Sequence, residues 1–219
     1  MDKNKNLTTE ETFNLAVKNH QEGKTDIAQD LYNQILKIDP NHSQALNNLG
    51  ALYKKLGEIQ KAKDCYEKAI KINPNFANTH CNLGLVCKEL GENQKAKECY
   101  EKAIEIKPNY ADAHNNLGIV FKELGELEKA KSCYEKTIEI DPNYTKAHNN
   151  LGAIFQELGE NQKAKECYEK AIEIDPSNKK SQAAYGGILI ILNDKLKGYE
   201  YLQKGQGVIK FTPSNYKII

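Results

Sequence analysis

The sequence predicts an all-α fold built by stacking one helix pair about six times along the chain. Three observations predict it. Leu-Gly recurs at Leu49-Gly50, Leu83-Gly84, Leu117-Gly118 and Leu151-Gly152, each 34 residues after the last. Pro40, Pro74, Pro108, Pro142 and Pro176 keep the same spacing. Apolar residues between these markers fall at helical intervals, as in Leu117, Val120, Phe121 and Leu124. Repetition at such a period marks an α-solenoid, in which each unit buries its apolar face against its neighbours.

Counting the Leu of Leu-Gly as the seventh place gives units 9–42, 43–76, 77–110, 111–144, 145–178 and a degenerate 179–212. Residues 1–8 are a polar leader and 213–219 a short tail. The first helix of each unit runs for about fourteen residues and stops at Gly23, Gly57, Gly91, Gly125 or Gly159, where a left-handed residue is wanted. Asn193 holds that place in the last unit. The second helix shows Ala96, Tyr100, Ala103 and Ile104 on one face and ends at a turn such as Asp141-Pro142-Asn143. Gly50, Gly84, Gly118 and Gly152 are expected to face Ala62, Ala96, Ala130 and Ala164, with Tyr66, Tyr100, Tyr134 and Tyr168 filling the space beside them.

The ends are expected to differ from the middle. Glu11, Lys18, Asn19 and Glu22 wet the first helix on a side that inner units bury. The apolar stretch Ile188 to Leu192 needs cover, for which a capping helix around Lys195 to Lys204 and the tail are the candidates. One stretch is written twice: GENQKAKECYEKAIEI occupies both 91–106 and 159–174. It runs from the glycine through the second helix, so it reads as scaffold.

This pattern resembles the tetratricopeptide repeat (TPR). The family signature has Leu, Gly, Ala, an aromatic, Ala and Pro at places 7, 8, 20, 24, 27 and 32 of its unit. Leu83, Gly84, Ala96, Tyr100, Ala103 and Pro108 stand there in unit 77–110. Thr137 replaces one alanine, unit 9–42 has Ala16 and Ile35 at two of the places, and unit 179–212 departs further with Gly198, Leu202 and Gly205. The resemblance implies a right-handed superhelix of antiparallel helix pairs whose first helices line a concave groove.

Composition and motifs exclude several functions. Lys and Arg number 31 against 30 Asp and Glu, which gives no basic surplus for nucleic acid or an acidic membrane. The N-terminus lacks a signal-peptide core, and the run Ile188 to Leu192 is too short to span a bilayer. A soluble, cytoplasmic chain is expected. Cys65, Cys99, Cys133 and Cys167 recur once per unit and are read as reduced packing residues, with Cys81 and Cys87 likewise unpaired. His80, His114 and His148 are copies of one place, too far apart to share a metal. No nucleophile, metal-ligand or phosphate-loop motif appears, so no catalytic residue, metal or cofactor is expected.

The candidate site lies on the first helices. The sixth place holds Asn14, Asn48, Asn82, Asn116 and Asn150, and the fifth adds Asn47, Asn115 and Asn149. Asparagine is a poor helix-interior residue, so the row asks for a reason. An amide both donates and accepts, which suits either the backbone of an extended peptide or a brace between neighbouring helices. The row resembles the asparagine ladder of O-linked N-acetylglucosamine transferase repeat domains, which implies peptide contact at Asn48, Asn82, Asn116 and Asn150. The ninth place is apolar, with Val17, Ala51, Leu85, Ile119 and Ala153, and adds Leu85 and Ile119 as contacts for side chains. A carboxylate clamp, known elsewhere in this family, is not expected: Lys146 alone does not make one.

The expected function is a non-catalytic protein-interaction module holding an extended peptide or helical segment. Two alternatives are a recruiting region of a larger transferase or oxygenase, and a scaffold that self-associates through its apolar C-terminal end into a homo-oligomer.

Overall fold

A computed structural model describes residues 7–206, 209–212 and 215–218. Most of the leader 1–8, and residues 213, 214 and 219 of the tail, lie outside the described residues. The chain divides into two compact units, one ending at Asn109 and the next beginning at Tyr110. The first unit holds three helix pairs: α1 (Thr9–Gln21) with α2 (Thr25–Ile38), α3 (Ser43–Lys55) with α4 (Ile59–Ile72), and α5 (Ala77–Glu89) with α6 (Asn93–Ile106). The second unit holds α7 (Ala111–Glu123) with α8 (Leu127–Ile140), α9 (Thr145–Glu157) with α10 (Asn161–Ile174), and α11 (Lys179–Ile191) with α12 (Lys195–Gln206).

Each first helix ends as its glycine predicts. Gly125 has φ +77°, its N–H donates to the Lys122 carbonyl at 3.0 Å, and the Glu126 N–H donates to the Phe121 carbonyl at 2.9 Å. These two bonds satisfy carbonyls that the helix end leaves open. Asn193 takes φ 69° in the last pair, the one described non-glycine residue with positive φ. The turns after the second helices are also built locally. The Asp141 carboxylate accepts from the Asn143 N–H at 3.0 Å, while Pro142 between them blocks further helix. Asp39 with Asn41 and Asp175 with Ser177 repeat the arrangement.

In the core the tyrosines, rather than the alanines, lie nearest the helix glycines. A Cβ built on Gly84 meets the Tyr100 ring at 2.6 Å, and one on Gly118 meets Tyr134 at 2.7 Å. The ring is therefore what lies nearest each glycine, and the alanines Ala62, Ala96, Ala130 and Ala164 are fully buried. The cause is steric: each buried tyrosine lies flat across the opposing helix, and only a glycine leaves room for it. In the last pair Leu202 replaces the tyrosine. There a Cβ on Gly186 meets the Gly198 carbonyl oxygen and the Leu202 nitrogen, both at 2.7 Å, so backbone lies against backbone.

At the first helix, Glu11, Lys18 and Glu22 are exposed as expected, whereas Asn19 is buried. Its amide donates to the Leu15 carbonyl at 2.8 Å, which removes the cost of burying it. On the outer surface, lysines pair with glutamates of their own helix. Lys102 reaches forward to Glu105 at 2.8 Å and Lys170 to Glu173 at 2.9 Å, a spacing of three residues rather than four. Both spacings bring side chains together on a helix. After α12, strands β1 (Ile209–Thr212) and β2 (Asn215–Ile218) pair antiparallel, with Phe211 opposite Tyr216. A hairpin is not what a tail of repeat residues predicts.

A candidate peptide-binding face

The asparagines divide into two kinds. Asn47, Asn115 and Asn149 are buried, while Asn48, Asn82, Asn116 and Asn150 are half-buried and Asn14 is exposed. In the first unit the Asn47 Oδ1 accepts from Asn82 Nδ2 at 3.2 Å and from Thr79 Oγ1 at 3.1 Å, tying α3 to α5. Asn47 Nδ2 in turn donates to Asn48 Oδ1 at 3.1 Å. The second unit repeats the link between α7 and α9, where Asn150 Nδ2 donates to Asn115 Oδ1 at 3.1 Å. In these two links the fifth-place asparagine is the acceptor for the sixth-place asparagine of the next pair, whereas Phe13 and Cys81 hold the fifth places before Asn48 and Asn116. Each such bond uses one N–H of the half-buried amide and leaves a second N–H on the same group.

The row changes at its C-terminal end. Asn149 Nδ2 donates to Ser181 Oγ at 2.7 Å, but Asn149 Oδ1 has no partner among the described residues although the side chain is only 7% exposed. Sequence explains it: the next sixth place is Ala184, which has no amide to offer. Asn149 lines a cleft of about 270 Å³ with Asn115, Ile119, Lys146, Asn150, Asn178 and Lys180. Lys146 and Lys180 are exposed and sit in the first turns of α9 and α11.

A family model described as "Tetratricopeptide repeat" matches residues 43–76, 111–144 and 145–178, another so described matches 65–98, and one described as "TPR repeat" matches 84–125. The crystal structure of MamA is 31% identical, covers 74% of this chain and 94% of that chain, and superposes with a TM-score of 0.68. This chain belongs to the tetratricopeptide repeat family. A TPR protein, YrrB, whose structure is described as having an unusual peptide-binding site, is 25% identical with a TM-score of 0.67, covering 81% of this chain and 91% of that chain. PilF of Pseudomonas aeruginosa, at 20% identity, shares the fold with a TM-score of 0.80 over 88% of each chain. No curated protein gives a significant match.

Within this TPR array the histidines have structural work. His80 Nε2 lies 2.8 Å from the Pro74 carbonyl and His148 Nε2 lies 2.9 Å from that of Pro142. A carbonyl only accepts, so each ring donates and fastens a first helix to the preceding turn. Gln182 does the same to Pro176 at 2.7 Å. No cluster of three His, Cys, Asp or Glu suited to a metal occurs among the described residues, and no described helix is long and apolar enough to cross a membrane. Leu85 and Ile119 are half-buried, on α5 and α7.

Sequence reasoning missed Thr79, Ser181 and Lys180. The first two could have been found as the hydroxyl residues at the third place of units whose predecessor carries a fifth-place asparagine. Lys180 stands 34 residues after Lys146, which is the signal that the two lysines share a face.

Proposed function

We propose that the first-helix faces of this TPR protein bind extended peptide, with Asn48 and Asn82 of the first unit and Asn116 and Asn150 of the second reading peptide backbone, and Leu85 and Ile119 meeting side chains in their own units. The observation that supports this most is the half-buried state of the sixth-place amides. One N–H of Asn82 and of Asn150 goes to a neighbour, so the amide is fixed in orientation while its remaining polar atoms are available to a ligand. A pre-oriented amide loses little freedom on binding. The structure described for YrrB makes peptide binding a natural property to test here. Asn14, exposed on α1 with no fifth-place asparagine before it, is the outlying member of the row. At the cleft, Asn149 offers a buried acceptor for a ligand N–H, and Lys146 and Lys180 favour an acidic residue nearby in the same peptide.

The test is selection of peptides from a random library displayed on phage, using the wild type and a variant carrying Asn48→Ala, Asn82→Ala, Asn116→Ala and Asn150→Ala. The wild type should enrich a peptide set and the variant should not, with both chains melting cooperatively. Equal enrichment by a folded variant would sink the reading. Asn47→Ala separates bracing from binding. It strands the buried Thr79 hydroxyl and removes the acceptor of Asn82, at a cost of about 1–3 kcal/mol.

A second reading rests on the exposed apolar side chains Ile191, Leu192 and Leu196 near the C-terminal end, of which Leu196 is 78% exposed. Self-association through them would raise the sedimenting mass with concentration, and Leu196→Asp would abolish that rise. A mass constant across the series removes this reading.

A further inference from the structure

One repeat departs from the others at a place the peptide-binding reading does not use. The eleventh place is aromatic in three inner pairs, with Tyr53, Phe121 and Phe155, but the third pair has Cys87. The twenty-third place is Cys65, Cys99, Cys133 and Cys167 in the same pairs. Lys61, Lys129 and Lys163, one turn before the repeating cysteine, lie 5.3, 5.4 and 5.3 Å from the eleventh-place rings of Tyr53, Phe121 and Phe155, so the eleventh and twenty-third places face each other across a helix pair. Cys87 on α5 is fully buried and Cys99 on α6 is 7% exposed, and each thiol is the group that most shifts the ionisation of the other. Only here does a thiol, rather than a ring, stand opposite the repeating cysteine. Gly84, one turn before Cys87 on α5, already lets α5 and α6 approach closely, since a Cβ there would stand 2.6 Å from the Tyr100 ring.

The surroundings of Cys87 are set by the repeat. In the fifth pair two ammonium groups lie near the ring of Phe155, Lys163 at 5.3 Å and Lys131 at 5.9 Å from its centroid. The equivalent lysines of the third pair are Lys95 and Lys63, so the cradle that elsewhere holds a ring holds a thiol. Lys63 pairs with Glu92 at 2.6 Å and Lys95 with Glu67 at 2.6 Å, which anchors both cations over the site. The Glu92 carboxylate also faces Cys87 and opposes its ionisation. Cys99, with Lys95 and Lys63 beyond it, nonetheless holds the Cys87 thiol below its ordinary value, whereas Cys87 and burial push Cys99 up. A thiolate beside cations is the reactive form of cysteine.

We infer that Cys87 and Cys99 form an oxidisable dithiol, in which a peroxide converts the pair to a disulfide that links α5 to α6 within one repeat. The Cys87 thiolate attacks a peroxide oxygen; the O–O bond breaks, leaving Cys87 as sulfenic acid and releasing hydroxide, which takes a proton to become water. The Cys99 sulfur then attacks the Cys87 sulfur. The S–S bond forms, the S–OH bond breaks, and the departing hydroxide takes the Cys99 proton. Two thiols and one peroxide thus give one disulfide and two waters. Hydrogen peroxide is close to water in size, and local opening of the α5–α6 contact admits it.

The experiment treats the full chain with hydrogen peroxide, removes the oxidant, denatures the protein and blocks remaining thiols with N-ethylmaleimide. Of the six cysteines, two should escape labelling, with the loss of two hydrogens in intact mass and a Cys87–Cys99 cross-link in peptide maps that dithiothreitol reverses. Cys99→Ser should leave a sulfenic acid at Cys87 that dimedone captures, and Cys87→Ser should give neither product. Six labelled thiols after treatment would overturn the inference. So would cross-links between chains, or oxidation that falls first on the less buried Cys133 and Cys167. The wild-type map decides the matter even where a variant fails to fold.

Discussion

Gly186→Ala destabilises the second unit by about 2 kcal/mol, and does so although alanine is the better helix former by about 1 kcal/mol. The added methyl meets the Gly198 carbonyl oxygen and the Leu202 nitrogen at 2.7 Å. Neither atom can turn away, because both belong to the backbone of α12. The seam is glycine on both sides: a Cβ on Gly198 would meet Ile190 Cγ1 at 2.6 Å, and one on Gly205 would meet the Ala183 nitrogen at 2.5 Å. Relief therefore requires α12 to move as a body away from α11. Thermal melting checks the size of the loss, and amide exchange checks its place: protection should fall first in α12. A variant as stable as the wild type would show that this seam tolerates a methyl.

Tyr100→Ala costs more, about 3–5 kcal/mol, because a fully buried ring is removed from the α5–α6 contact and Gly84 opposite has no side chain to fill the space. Tyr100→Phe distinguishes ring from hydroxyl. The Tyr100 hydroxyl is buried with no hydrogen-bond partner among the described residues, so removing it should be neutral or stabilise by up to about 1 kcal/mol. Tyr168→Phe should behave differently, since the Tyr168 hydroxyl donates to Gln156 Oε1 at 3.2 Å and that bond is lost. Urea unfolding of the three variants beside the wild type gives the order. A Tyr100→Phe chain that loses as much as Tyr100→Ala would contradict the assignment of the stability to ring packing.

Much of the helical plan was legible because it is local. A glycine that ends a helix with positive φ, and an Asp-Pro pair that turns the chain, act within a few residues of themselves. Their spacing therefore reads directly from the text. The candidate site was half legible. The row of asparagines could be seen, but a lone sequence does not say which amide accepts and which donates across a helix pair. That depended on the third place of the next repeat, where Thr79 and Ser181 supply hydroxyls. The nearest neighbour of each of these glycines was not legible for a similar reason: spacing shows which residues share a face, whereas the volume of the tyrosine decides which of them lies nearest the glycine.

The duplicated stretch separates the two kinds of information. By sequence alone residues 91–106 and 159–174 are the same object, and both form the same fourteen-residue helix, α6 and α10. The period, the helix ends and the inward face of Ala96, Tyr100 and Ala103 follow from that text. Tertiary structure decided the rest. Cys99 is buried in a pair whose eleventh place is Cys87, while Cys167 is less buried and belongs to a pair whose eleventh place is Phe155. Burial pushes Cys167 up to about 11, whereas Cys99 answers first to Cys87. The physical reason is that backbone geometry is fixed by neighbours along the chain, but the reactivity of a side chain is fixed by the atoms packed against it from elsewhere.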